Sequence, residues 1–210
     1  MANLDVSAVI VAGGKGSRMG GVDKGLQPFL GRPMAQAVWE RIQPQVGYTF
    51  INANRHVEVY QSWGATVYPD AHAGFPGPLA GFAVGMAHAT TPYVLVVPCD
   101  TPRLPMDLVQ RLTRALQTAN ADIAMASAPQ VDHTGHTKLQ AQPTCCLLKT
   151  SLRPSLEVFM QSGGHKIRAW TDTQACVYVP FDQAQDDPLA FANINTLVDL
   201  QALESAPPHR

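Results

Sequence analysis

Seven residues near the start of the chain, Val6-Ser-Ala-Val-Ile-Val-Ala12, form an almost uniformly apolar, β-branched run that stops at a glycine. A run without apolar/polar alternation predicts a strand covered on both faces, the habit of parallel sheets packed between helices. The next stretch is as restrictive: Gly13 to Gly25 reads GGKGSRMGGVDKG, six glycines and four charged side chains in thirteen residues. Glycine makes loop ordering costly in backbone entropy and returns something only where positive φ or a close approach to the backbone is needed. Amides without a neighbouring Cβ suit phosphate oxygens, and Lys15, Arg18 and Lys24 add positive charge. A solvated surface loop is the plain alternative; the density of glycines favours an anionic ligand.

The pattern after this loop keeps alternating. Pro33–Ile42 has apolar residues at helical spacing, Tyr48–Ala53 reads as a strand, Val57–Trp63 as a helix and Thr66–Tyr68 as a third strand. A second Gly/Pro cluster, Phe75 to Gly81, leads into a small-residue helix over 79–89. Tyr93–Val97 is a fourth buried strand, ending in Pro98-Cys-Asp-Thr-Pro102, and Leu104–Thr118 is helical. Strand and helix in turn imply parallel βαβ units with right-handed crossovers, which bind ligands beyond the carboxyl ends of their strands. The glycine loop, Asn52, Asp70 and Asp100 all follow a strand, so they are expected to converge. Farther on, Ala121–Ser127 and Thr144–Leu148 read as strands flanking a polar loop, Val131–Lys138. Leu152–Gln161 and Ile167–Trp170 read as helices, Cys176–Val179 as a strand and Thr196–Leu203 as a last helix. The expected architecture is α/β: a single-domain, Rossmann-like three-layer fold with a mostly parallel central sheet over residues 1–204, and a disordered tail over 205–210.

Composition narrows the functions open to such a domain. The chain has 210 residues, enough to bury roughly 70% of its unfolded surface without disulfides or metals. Its 15 Lys+Arg against 16 Asp+Glu leave no basic surplus of the kind a nucleic-acid polymer would demand. The longest apolar runs fall well short of the ~20 residues of a membrane helix. Nothing before Gly13 has the basic and apolar pattern of a signal peptide. Four cysteines without a CxxC pair read as reduced core thiols. A soluble, cytoplasmic protein is expected, with no membrane partner and no nucleic-acid partner.

Familiar motifs fail when tested. A nucleotide-hydrolase loop would need Lys-Ser/Thr after Gly21, where Val22-Asp23 stand, and a dinucleotide fingerprint would need glycine at Met19. No GxSxG elbow is present. Asp132, His133 and His136 lack the further ligands a zinc site requires.

The stretch Val11-Ala-Gly-Gly-Lys-Gly-Ser-Arg-Met-Gly-Gly-Val-Asp-Lys-Gly-Leu26 closely resembles the signature of the molybdenum cofactor guanylyltransferases, a branch of the larger nucleotidyltransferase family. The resemblance continues through Asn52-Ala-Asn-Arg-His56, Pro69-Asp70, Pro76-Gly-Pro-Leu-Ala-Gly81, Pro98-Cys-Asp-Thr-Pro102 and Phe191-Ala-Asn-Ile-Asn-Thr196, and so spans nearly the whole chain. It implies transfer of GMP from GTP to the terminal phosphate of molybdenum-loaded molybdopterin, with release of pyrophosphate. Transient contacts with molybdopterin-handling proteins and molybdoenzyme chaperones are implied in turn. Val11, where leucine is usual, is a conservative departure; the second half matches less tightly than the first. A cytidylyltransferase on the same acceptor is the nearest alternative, but such enzymes tend to carry Ala-Ala-Gly in place of Ala12-Gly13-Gly14. A sugar-phosphate nucleotidyltransferase comes next.

The resemblance implies nucleotide contacts at Val11, Ala12, Gly13, Gly14, Lys24, Asn52, Asp70 and Asp100, catalytic roles for Arg18, Lys24 and Asp100, and Mg²⁺ on Asp100. Asn193 and Asn195 fall to the pterin side. Each assignment has a structural rival: Asp100 could cap the helix near Pro102, Asp70 and Asn52 could stabilise turns, and Asn195 or Thr196 could cap the last helix. Asp23 could simply orient Lys24 beside it. Carbonyls near Gly77 to Gly81 are expected to accept from guanine.

Overall fold

The computed structural model describes residues 5–12, 23–70, 77–131 and 135–207. In chain order the elements are β1 (Val6–Val11), β2 (Pro28–Phe29), β3 (Arg32–Pro33), α1 (Met34–Ile42), β4 (Tyr48–Asn52), α2 (Val57–Gln61), β5 (Thr66–Tyr68) and α3 (Pro78–His88). They continue with β6 (Tyr93–Pro98), α4 (Leu108–Thr118), β7 (Ile123–Val131), β8 (Thr137–Lys149), α5 (Arg153–Gln161), α6 (Ile167–Thr171), β9 (Cys176–Pro180) and α7 (Leu197–Ser205).

Seven strands form one sheet in the order β5-β4-β1-β6-β8-β7-β9. Only β8 runs against the others, pairing antiparallel with both β6 and β7, so the sheet is mostly parallel. Alternate side chains of β1 face opposite layers. Val6, Ala8 and Ile10 pack with α1, α2 and α4, whereas Val9 packs with α3, α5 and α6. Both faces are thereby covered, which explains the absence of alternation in the β1 sequence. A third, smaller cluster joins Phe29 and Met34 to Ile194, Leu200 and Leu203 of the α7 region. Helix α3 lies unusually close to the sheet: a Cβ on Gly81 would stand 2.6 Å from Val11 Cγ1, and one on Gly85 would stand 2.7 Å from Val9 Cγ1. Small residues in this helix are thus a packing requirement.

The chain steps from β1 outward to β4 and β5, then returns to place β6 on the other side of β1. That reversal is the topological switch point at which open α/β sheets bind ligands. Tyr68, Asn52, Val11 and Pro98 stand in one register row across it. The expected convergence of strand ends is therefore met for β5, β4, β1 and β6.

Three local expectations need correction. The helix expected from Leu104 begins at Leu108, with Asp107 in the cap position, because Pro105 cannot supply an interior helical N–H. The strands flanking the polar loop expected over Val131–Lys138 run farther than expected: Ser127–Val131 pairs with residues 137–141 across an irregularity at Met125/Ser127, so Val131, Thr137 and Lys138 belong to strands. An antiparallel partner satisfies the backbone there whatever the side chains are. Asp132 and His133 lie outside the described residues. A small hairpin, β2–β3, adds to the expected elements; its turn sets Leu30 and Gly31 at positive φ. At the far end, α7 runs to Ser205, and the carbonyls of Ala206 and Pro207 accept from the Arg103 guanidinium at 3.3 and 2.8 Å. The first residues assigned to the tail are thus hydrogen-bonded to the domain.

Candidate active site at the carboxyl edge of the sheet

Two groups of polar side chains occupy the edge at the switch point. The first gathers around Asp100, in the turn that ends β6. Lys24 Nζ donates to Asp100 Oδ2 and, at 2.8 Å, to Asn195 Oδ1. These residues come from three distant parts of the chain. Lys24 opens a short 3₁₀ turn over Lys24–Leu26. Asp100 is fixed by its backbone, since Ile194 N–H donates to its carbonyl at 3.1 Å. Thr101 Oγ1 donates to Asn193 Oδ1 at 2.7 Å, which ties the 193–195 segment to the same turn. Side-chain exposures of 21% for Lys24 and 17% for Asp100 leave the pair reachable yet poorly hydrated. Partial desolvation strengthens the attraction of such a pair for an incoming charge.

Asp100 caps no helix, for α4 begins eight residues later and the carboxylate is turned toward Lys24. The capping alternative at the last helix falls to Thr196. Its Oγ1 accepts from Asp199 N–H at 3.1 Å, while Asp199 Oδ2 accepts from the N–H groups of Asn195 and Thr196, at 2.9 and 2.8 Å, a reciprocal capping box. These bonds hold the Asp199 carboxyl below its usual range, the Asn195 amide contributing most. The box orders the backbone of Asn195 and leaves its side chain for Lys24.

The second group lies at the ends of β4 and β5. Asn52, 1% exposed, donates through Nδ2 to Tyr68 O at 3.2 Å and to Asp70 Oδ1 at 2.8 Å. Asn54 Nδ2 donates to Asp70 Oδ2 at 2.8 Å, and Asp70 N–H donates back to Asn54 Oδ1 at 2.8 Å. Asp70 is thereby a carboxylate framed by amides. Val11 and Ala12 link the two groups through the sheet: Ala12 N–H donates to Asn52 O at 2.8 Å, and Val11 O accepts from Cys99 N–H at 3.1 Å.

Other expectations fare differently. Asp23 does not turn toward Lys24. Its side chain, 5% exposed, points inward, where it accepts from Gly25 N–H at 3.1 Å and from Tyr60 Oη at 2.8 Å and lies 3.1 Å from His56 Nδ1. Burial, reinforced by the bond to Asp23, pushes the Tyr60 phenol far above its usual range and keeps it a proton donor. The sequence carries no signal for Tyr60, since His56, four residues before it, stands outside α2 in a left-handed cap position. Of the carbonyls expected to accept from guanine, those of Pro78 to Gly81 lie in the first turn of α3, and Gly77 O accepts from Ala80 N–H at 3.2 Å. Gly13, Gly14, Lys15 and Arg18 lie outside the described residues. All four cysteines are free thiols, with Cys99, Cys145 and Cys146 buried.

Among the described residues, no three His, Cys, Asp or Glu side chains group closely enough to form a metal cage of their own. Thr101 Oγ1 stands 3.4 Å from Asp100 Oδ1, and the side-chain carbonyls of Asn193 and Asn195 join the group through Thr101 and Lys24. One carboxylate with hard neutral oxygens fits Mg²⁺, an ion that keeps water and substrate phosphates among its ligands.

A sheet of this topology, with a lysine–aspartate pair at its switch point, defines an α/β protein built to handle a nucleotide. A family model described as the MobA-like NTP transferase domain matches residues 8–177. A protein of Albidiferax ferrireducens named molybdenum cofactor guanylyltransferase is 53% identical over 205 residues, 97% of each chain. One of the same name from Bordetella pertussis is 47% identical over 201 residues, covering 96% of this chain and 98% of that one. Among solved structures, molybdopterin-guanine dinucleotide biosynthesis protein A from Archaeoglobus fulgidus superposes with a TM-score of 0.72 at 22% identity, covering 94% of this chain and 96% of that one. The fold is shared more widely: 2-C-methyl-D-erythritol 4-phosphate cytidylyltransferase from Thermus thermophilus gives a TM-score of 0.70 at 17% identity, again over 94% and 96%. The chain belongs to the MobA-like NTP transferase family and is a nucleotidyltransferase. No helix among the described residues is long and apolar enough to cross a membrane.

Proposed function

We propose that this chain, acting as one catalytic domain over residues 1–204, transfers GMP from GTP to the terminal phosphate of molybdenum-molybdopterin. The product is the guanine dinucleotide form of the cofactor. An acceptor phosphate oxygen forms a bond to the α-phosphorus as the bond from that phosphorus to the bridging oxygen breaks, and pyrophosphate leaves with the electron pair. The observation that carries this reading is the Lys24–Asp100 pair at the switch point, in a chain whose relatives bear the guanylyltransferase name. Reaction between two polyanions needs positioning and charge neutralisation, and needs no protein nucleophile. Lys24 serves as a point charge toward the phosphates, and Arg18 as a fork that takes two oxygens at once. Backbone amides at Gly13 and Gly14, just beyond Val11 and Ala12, receive the triphosphate. Asp100 would hold Mg²⁺, which would neutralise charge on the phosphates when bound.

Asn52 and Asp70 form the nucleoside side of the site. Asn193 and Asn195 face the pterin acceptor, and the bond from Lys24 to Asn195 supports an acceptor side adjoining the phosphate side. Transient partners are the molybdopterin-handling proteins and molybdoenzyme chaperones on either side of such a reaction, in the cytoplasm. The test is pyrophosphate release with molybdenum-loaded molybdopterin and Mg²⁺. Release from GTP but not from CTP is expected, and turnover with CTP alone would overturn the guanine assignment.

A further inference from the structure

Lys24 has a buried neighbour whose hydrogen bonds have no part in the chemistry described so far. Asp23 precedes the cation directly, yet the two side chains leave the turn in opposite directions: Lys24 outward to Asp100 and Asn195, Asp23 inward to Gly25, Tyr60 and His56. The inward arrangement leaves little slack. Tyr60 is fully buried, and a Cβ on Gly25 would stand 2.7 Å from its Oη and 3.2 Å from Ala35 Cβ, so the phenol sits directly beneath the turn that carries Lys24. His56 has φ +49, a left-handed conformation uncommon for a residue with a side chain, and this sets the imidazole beside the carboxylate. Because a carboxylate only accepts, His56 Nδ1 carries the proton in this contact.

Resting on the reading of Lys24 as the phosphate-side cation, we propose that Asp23 is a positioning residue for Lys24, clamped by Tyr60 and His56. A lysine side chain has four rotatable bonds and loses much rotamer freedom when ordered. Anchoring its backbone through a buried carboxylate removes part of the motion that would blur the ammonium over several positions. Preorganised charge stabilises a transition state more than charge that must be gathered during the reaction. Asp23 touches no reacting atom and acts through the next residue.

The test is a double-mutant cycle. Asp23→Asn keeps the shape and removes the charge; Tyr60→Phe removes one oxygen and keeps the packing. Each is made alone and together with Lys24→Ala, and kcat and KM for GTP are measured on protein whose fold is checked by circular dichroism. Each single change is expected to lower kcat about tenfold, the scale of one hydrogen bond to a charged group, and to raise KM less. With Lys24→Ala present, both changes should lose nearly all their effect, since there is no ammonium left to position. Equal losses in both backgrounds would mark Asp23 and Tyr60 as merely structural and overturn the positioning role alone. An unchanged kcat in Lys24→Ala by itself would overturn the reading of Lys24, and this inference with it.

Discussion

The two polar groups at the sheet edge differ in how their carboxylates are held. Asp100 is paired with a cation 76 positions away, and its carbonyl accepts from Ile194, 94 positions away. Asp70 is framed by two amides only 16 and 18 positions away, one just after the neighbouring strand and one at its last residue. An ion pair can exchange partners, because Lys24 can turn to a phosphate while Asp100 accepts a metal ion. An amide frame has nothing to exchange and offers a fixed shape. The first arrangement suits charge that develops during a reaction; the second suits recognition of a neutral ribose or base. Placing them on either side of β1, at one edge of the sheet, lets one ligand span both.

The sharpest way to break this contrast is Asp100→Asn. Loss of the charge is expected to lower kcat by about a thousandfold, with the thermal transition hardly moved, because the site is partly solvated and caps no helix. Full activity would reduce the pair to a surface salt bridge. Asp70→Asn should act on the other term. One side-chain oxygen cannot serve both Asn52 and Asn54, so KM for GTP is expected to rise about tenfold with kcat nearly unchanged. A matching fall in kcat would erase the distinction between the two groups.

The smallest effect concerns the support beneath Asn195. Thr196→Ala removes the cap of α7 and should cost about 1 kcal/mol in denaturant unfolding. The capping box also makes stability depend on pH. Asp199 titrates below its usual 3.8 in the folded protein, so its contribution is complete above that value and disappears as pH falls through the lowered one. Wild type and Asp199→Asn are therefore expected to differ in stability at pH 6 and to approach one another as the medium becomes strongly acidic.

Legibility followed the range of the forces involved. In the parallel half β1, β4 and β6 were readable because each is short, mostly buried on both faces and followed closely by Gly, Pro or a polar residue, all local signals. The hairpin of β7 and β8 was half hidden: residues 137–141 are mostly exposed and carry no buried stripe, and their ladder comes from the partner strand. In the site, Asp100 and Lys24 stood out by residue type and position. The inward direction of Asp23 is not legible from its adjacency to Lys24, because a buried carboxylate turns to the donors within its reach, here the Tyr60 hydroxyl and a backbone amide.

Taken alone, the sequence determined that the chain forms an α/β layer structure with a glycine-rich, cation-bearing loop after its first strand. Hydrophobic runs and backbone-permissive residues act over a few positions and can be read in order. Only the tertiary structure decided which strand reverses, which of two adjacent charged residues faces outward, and that Asn195 meets Lys24 across 171 positions of chain. Hydrogen bonds and ion pairs choose partners by distance in space, and that distance is set once the two cores have packed against the sheet.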